Sequence, residues 1–478
     1  MPVLLAAAAC AQLGGETAGV PEPTTAPAVP SSAPRVVGAE TPESRESQRI
    51  VAAYGGVYND PQLEALLGQV VQRLTKASEA PSTGFRVTVL NSPTINAFAL
   101  PSGDLYITRG LIALANDTSE VAAVIAHEMG HVTARHAFAR ADRERQAVLV
   151  SRVITDVLND PEGGALSLAK SKIALAQFSR EQELEADRIS VNTLKRAGYD
   201  PYGMARFLND MGRNAQLHAS LLGEGSGQSV DFLSTHPATP ERVEQATQLA
   251  HSLSAPGQGE RDRDGFLDAI EGMVYGDDPT QGVIHGNRFY QPVLGFFFQA
   301  PPGYTLENTS QAVVGLGPDG SALRLDAVKM PGGQSLVDHL KADMMDGITV
   351  ANAETREING IPAAIATARG HDWDFRLAAL SFGSQVYRLV FAVRHLTPDV
   401  DARLMASIGS FRRMTADEIT AIRPQRIAIV KVQPRDTAES LARRMAVDSR
   451  PLQRFLVLND LPEGSEPTPG KRVKLIVQ

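Results

Sequence analysis

Only one of the 478 residues is cysteine, Cys10, so no disulfide can form within the chain. Nor does any run approach the roughly 18 consecutive apolar residues that a membrane-spanning helix requires. Lysine and arginine are scattered rather than striped, and a formal net charge of -8 is mild for this length, which argues against a nucleic-acid partner. There is no internal repeat. What remains is a globular composition, 43% hydrophobic and 21% charged, on a chain long enough for about two to four domains.

The position of Cys10 is informative, because it directly follows Val-Leu-Leu and four alanines. That arrangement resembles a bacterial lipoprotein signal, with residues 1–10 as the export segment and Cys10 as the lipidated residue. A lipid on Cys10 would tether the chain to a membrane without spanning it. Residues 11–45 are rich in Pro, Ala, Thr and Ser and predict a solvated, semi-extended linker.

Ordered sequence follows. Leu63, Leu66, Leu67, Val70, Val71 and Leu74 recur at helical spacing, whereas Phe85, Val87 and Val89, then Leu105 and Ile107 after the Pro101-Ser102-Gly103 turn, alternate as strands of a small antiparallel sheet. Asp117 and Glu120 predict a capping box that starts the next helix. Helical pattern dominates to about residue 250, and Ser-Ala-Pro-Gly-Gln-Gly marks a linker over 256–286. Strand patterns with two helical interruptions fill 287–414, an α+β accessory domain. Residues 425–478 read strand, helix, helix, strand.

One stretch asks for an explanation: VAAVIAHEMGHVTARH, Val121 to His136, sets His127, Glu128 and His131 in an apolar helix, where polar groups without partners are costly. Positions i and i+4 share a helix face, so both imidazoles can reach one ion, with Glu128 beside it. This HExxH spacing suits a zinc ion bound by two imidazoles and one carboxylate, with a fourth position open and Glu128 as general base. The third ligand is not that of a metzincin, because Ala134 and Ala137 occupy the positions where that class needs Gly and His. The candidate is Glu183, in SREQELEADRIS, with Asp187 one turn on as the carboxylate that fixes a ligand imidazole, that of His127.

These segments, with NAFALPSGDLYITRGLI and FLSTHPATPERV, closely resemble the BepA/HtpX-type zinc metallopeptidases, relatives of the CAAX prenyl proteases in the gluzincin clan, over about residues 47–250. The resemblance implies one Zn2+ per chain on His127, His131 and Glu183, with Glu128 as base and Asp187 as the Asp of the second motif. It implies that Asn96, Ala97, Phe98 and Ala99 form a strand beside the cleft to which an extended peptide adds by main-chain hydrogen bonds. It also brings His236 and Arg242 toward the metal, as a plug or as oxyanion stabilisers. HtpX and the CAAX proteases are held in the membrane by hydrophobic helices, so a chain with none resembles the periplasmic branch.

The C-terminal unit is similar to LysM domains, which bind peptidoglycan glycan, although Arg435 stands where those domains carry Gly. The 287–414 pattern resembles PsbP/Mog1-like folds. The expected whole is an α+β multidomain chain: a mainly α-helical peptidase domain over 46–255 with a small edge sheet, the accessory domain, and a βααβ LysM-like domain. Its expected work is hydrolysis of unfolded or misassembled envelope proteins in the periplasm. Two alternatives use the same ligands: a chaperone-like assembly factor whose zinc is held inactive, and a hydrolase of peptidoglycan peptides.

Overall fold

A computed structural model describes residues 42–139, 142, 178–222, 236–309, 311–329, 334–342, 349–370, 372–447 and 449–478. The export segment, Cys10 and nearly all of the 11–45 linker lie outside the described residues.

Helices α1 (Pro42–Ala53) and α2 (Pro61–Ala77) open the described chain. The Asp60 carboxylate accepts the Gln62 and Leu63 N–H groups to start α2, whose buried stripe is Leu63, Leu67, Val70, Val71 and Leu74. Strands β1 (Arg86–Leu90), β2 (Ala97–Ala99) and β3 (Asp104–Thr108) form a sheet in the order β1-β3-β2. The expected all-antiparallel sheet is corrected here: β2 and β3 form the antiparallel hairpin, but β1 pairs with β3 in parallel. The chain reverses twice between them, and the second reversal at Gly103, at φ 90°, returns β3 in the direction of β1.

Next come α3 (Arg109–Leu114), α4 (Thr118–Thr133), α5 (Arg180–Ala197), α6 (Gly203–Leu222) and α7 (Pro240–Leu253). Every residue of α4 from Thr118 to His131 is buried, since α2, α5 and α6 pack around it. Its expected capping box is shifted by one residue. Asp117 accepts the Glu120 N–H as predicted, but the Glu120 carboxylate accepts the N–H of Asn116 rather than that of Asp117. Gly130 and Ala186 let α4 and α5 approach closely: a Cβ on Gly130 would lie 3.4 Å from the Ala186 Cα.

Residues 256–286, expected as a linker, contain α8 (Arg263–Ile270), β4 (Val274–Tyr275) and β5 (Val283–His285). Phe266, Leu267, Ile270 and Met273 are fully buried in the same core as α2 and α4, which outweighs the loop-like composition just before them.

The accessory part holds β6 (Arg288–Gln291), β7 (Phe296–Gln299), β8 (Thr305–Asn308), β9 (Val313–Leu316), β10 (Ala322–Val328), α9 (Leu336–Ala342), β11 (Thr349–Ile358), β12 (Ile361–Arg369), β13 (Asp374–Phe382), β14 (Gln385–Val393), α10 (Pro398–Gly409), β15 (Arg412–Arg413) and α11 (Ala416–Ala421). A seven-stranded antiparallel sheet runs β11-β12-β13-β14-β10-β9-β8, beside a four-stranded one ordered β15-β7-β6-β5. Both faces of the large sheet are covered. Leu377 and Ala379 pack with Leu340 of α9, while the alternate residues Ala378 and Leu380 pack with Leu404 and Ile408 of α10.

The C-terminal unit is β16 (Gln425–Lys431), α12 (Ala438–Ala442), α13 (Pro451–Leu458) and β17 (Arg472–Val477), the βααβ order read from the sequence, with β4 added as a third strand beside β16. It is joined to the peptidase part. Ile427 and Val457 lie in the α2/α4 core, and the fully buried Lys474 ammonium donates to the carbonyls of Ala113, Leu114 and Ala115, at the C-terminal end of α3.

Candidate metal centre

Helix geometry puts His127 and His131 one turn apart on α4, and the close Gly130–Ala186 contact brings α5 alongside with Glu183. The Nε2 atoms of His127 and His131 lie 3.0 Å apart. Glu183 Oε1 is 3.5 Å from His131 Nε2, and its Oε2 is 3.6 Å from His127 Nε2. One ligand atom from each of His127, His131, Glu183 and His236 falls within 4.8 Å of all the others, and the four residues are buried.

The donor set is that of a zinc site: two imidazoles, a carboxylate and one further position. Burial supports the fit. Desolvation holds the His127 imidazole below its usual range, and holds that of His131 well below it, so both present neutral nitrogens. Glu183 is pushed up by burial, and Glu128 well above the ordinary carboxylate range by burial and the nearby Glu183 charge. Glu128 Oε1 is buried with no hydrogen-bond partner among the described residues. Such a set is costly as it stands and is relieved by a cation.

Asp187 Oδ1 lies 2.9 Å from His127 Nδ1, which leaves Nε2 directed at the cluster. Burial would raise the Asp187 carboxyl, but hydrogen bonds from Arg242 and His127 bring it below its usual value. Arg242, expected to come toward the metal as a plug or an oxyanion stabiliser, is engaged through all three guanidinium nitrogens. Its Nε and Nη2 each donate to Asp187 at 2.7 Å, while Nη1 donates to the Pro237 carbonyl and lies 2.8 Å from Glu183 Oε2. It sets one cation against two buried carboxylates. His236, by contrast, does reach the centre: its Nδ1 is 2.8 Å from Glu183 Oε1 and 3.4 Å from His127 Nε2, and its Nε2 is 3.8 Å from Glu128 Oε1. Burial lowers its pKa to about 3.

Residues 96–99 lie where the sheet meets α4. Asn96 donates to the Tyr54 hydroxyl at 2.9 Å, and the Phe98 ring contacts those of Tyr54 and Tyr106. Ala97, Phe98 and Ala99 form β2, the outer strand of its sheet, whose far edge pairs with no strand among the described residues.

Three residues escaped the sequence reading. His136 Nδ1 is 2.9 Å from His131 Nδ1, and its Nε2 is 3.3 Å from Glu185 Oε2. The Phe178 ring stacks on His131 with centroids 4.1 Å apart. The available signal was the second histidine of HVTARH, but its i+5 spacing from His131 fits no helix face.

Two imidazoles and a carboxylate from facing helices, with a second carboxylate following the first imidazole, are the arrangement of an HExxH metallopeptidase centre. Residues 61–250 match Peptidase family M48. It is 30% identical over 204 residues to the beta-barrel assembly-enhancing protease of Escherichia coli (strain K12), covering 41% of this chain and 40% of that protein. It is 32% identical over 170 residues to the metalloprotease LoiP of the same organism, covering 34% of this chain and 60% of LoiP. The chain thus spans well under two thirds of the length of these curated relatives. Cyanobacterial PsbP from Synechocystis sp. PCC 6803, a solved structure, aligns with 29% of this chain and 98% of its own at 15% identity and a TM-score of 0.23.

Proposed function

We propose that the chain is a zinc-dependent endopeptidase of the bacterial envelope that hydrolyses peptide bonds in unfolded or misassembled proteins. The observation that carries this is the convergence of His127, His131 and Glu183 on one buried point beside Glu128 Oε1, which has no hydrogen-bond partner among the described residues. A zinc ion held there supplies a Lewis acid for the scissile carbonyl and lowers the pKa of a water. Glu128 takes a proton from the attacking water and returns it to the leaving amine nitrogen, a role suited to a carboxyl whose pKa is raised by burial. Asp187 orients His127, and Arg242 holds Asp187 and Glu183 in place. The outer edge of β2 offers main-chain hydrogen bonds to an extended substrate, a mode that reads little sequence and suits unfolded clients.

A relative named for enhancing β-barrel assembly supports envelope proteins as clients, and the periplasm as the compartment rests on the export pattern before Cys10. Anchoring through a lipid on Cys10 and glycan binding by the LysM-like unit complete the proposal and rest on the sequence pattern. A second reading concerns the resting state: the 2.8 Å approach of His236 Nδ1 to Glu183 favours His236 as the occupant of the fourth position until substrate enters, the form an assembly factor would keep. The test is Glu128→Gln, which should keep stoichiometric zinc and lose chelator-sensitive cleavage of casein. Undiminished cleavage by that variant refutes the role of Glu128.

A further inference from the structure

His127 has a carboxylate on its outer nitrogen, whereas His131 has His136. Two imidazole nitrogens 2.9 Å apart and buried need one proton between them, and the surroundings decide which ring carries it. His131 Nε2 faces His127 Nε2 and Glu183, so a metal takes its lone pair, and the His131 proton resides on Nδ1. His136 Nδ1 is then the acceptor. That places the His136 proton on Nε2, 3.3 Å from the Glu185 carboxylate, which accepts it. The chain of donors runs one way only: His131 Nδ1–H to His136 Nδ1, and His136 Nε2–H to Glu185.

The backbone supports a built arrangement. Helix α4 ends at Thr133, and Arg135 takes φ 55°, a left-handed conformation that is unfavourable for a non-glycine residue. That turn carries the His136 ring back to His131, with ring centroids 4.9 Å apart, while the Phe178 ring stacks on His131. A continued helix would carry residue i+5 past the His131 face. His136 is buried, and Glu185 is half-exposed on α5, two residues beyond Glu183.

We infer that His136, oriented by Glu185, is a positioning residue that fixes the metal-binding tautomer and ring orientation of His131, as Asp187 does for His127. The inference rests on the zinc reading above and extends it. Loss of such an outer partner lowers metal affinity by about 10- to 100-fold.

The experiment is zinc affinity of the full chain by competition with a chromophoric chelator, with thermal unfolding of each apoprotein as the check on folding. His136→Asn keeps an acceptor oxygen at the position of Nδ1 and should bind zinc within about threefold of wild type, whereas His136→Phe fills the space without an acceptor and should bind about 10- to 100-fold more weakly. A packing role predicts the reverse order. Wild-type affinity in a folded His136→Phe, or an Asn variant as weak as the Phe variant, overturns the inference. Should the His136 variants fail to fold, Glu185 offers a partly exposed site: Glu185→Gln should match wild type and Glu185→Ala lose several-fold, and equal affinity of the two overturns it. A wild-type chain that binds no zinc sinks the endopeptidase reading and this inference together. Zinc-binding wild type with an unaffected His136→Phe sinks this inference alone.

Discussion

Arg242 provides the sharpest test of how the centre is held. Its guanidinium makes two 2.7 Å hydrogen bonds to Asp187 and lies 2.8 Å from Glu183 Oε2, with all three side chains almost wholly buried. Arg242→Met keeps the apolar stem and removes the charge, leaving two carboxylates facing each other in a site that water barely reaches. Breaking a buried ion pair by deleting one partner costs about 3–5 kcal/mol, because the remaining charge is uncompensated. For a domain of this size that lowers the melting temperature by roughly 10 °C. A zinc ion would compensate Glu183 but not Asp187, so the deficit should shrink, without vanishing, when zinc replaces chelator. Thermal unfolding of both proteins in each condition measures this. A variant that melts with wild type in chelator, or whose deficit is the same with and without zinc, would refute the reasoning.

Other expectations follow from the same geometry. His127, His131 and His236 all have folded pKa values below the free value near 6.5. Each imidazole therefore contributes fully above 6.5 and loses up to a tenfold change in the unfolding equilibrium per pH unit below it, whereas the raised carboxyls of Glu128 and Glu183 act in the opposite sense; urea titrations of the apoproteins between pH 7.5 and 5 should show His236→Ala losing less stability than wild type as pH falls, and parallel profiles would count against it. His236→Ala should keep zinc content and speed casein cleavage if His236 fills the fourth position at rest, whereas slower cleavage would assign it to the reaction. Lys474→Met leaves three buried carbonyls without their donor, each worth about 1–3 kcal/mol, partly offset because an ammonium is no longer buried. A lower melting temperature and faster zinc release to a chelator are expected, and no change in either would show that the contact is idle.

Much of this was legible in local pattern. The Leu63 to Leu74 stripe, the HExxH helix, Glu183 and Asp187 one turn apart, and the βααβ order of the C-terminal unit all follow from period and spacing, which short segments encode by themselves. What was not legible depended on distant partners. The direction of β1 needs the β1–β3 pairing, which no single segment specifies. The stretch around Ser254 to Gly265 reads as a boundary, yet Phe266, Leu267 and Ile270 just beyond it are folded by a core that other elements supply. Nor could the sequence show that Asp187 and Glu183 both bind Arg242, since the three meet only when α5 and α7 pack. His136 was hidden by the conformation of Arg135, a non-glycine residue that gives no warning of a left-handed turn.

The lysine beneath the start of α4 has a consequence for how a newly made copy matures. The carbonyls it satisfies precede it by as many as 361 positions, so the base of the metal helix waits for β17 before it can settle. On the endopeptidase reading proposed above, a copy still emerging from the ribosome would be blunt until the distant strand that carries Lys474 has been delivered.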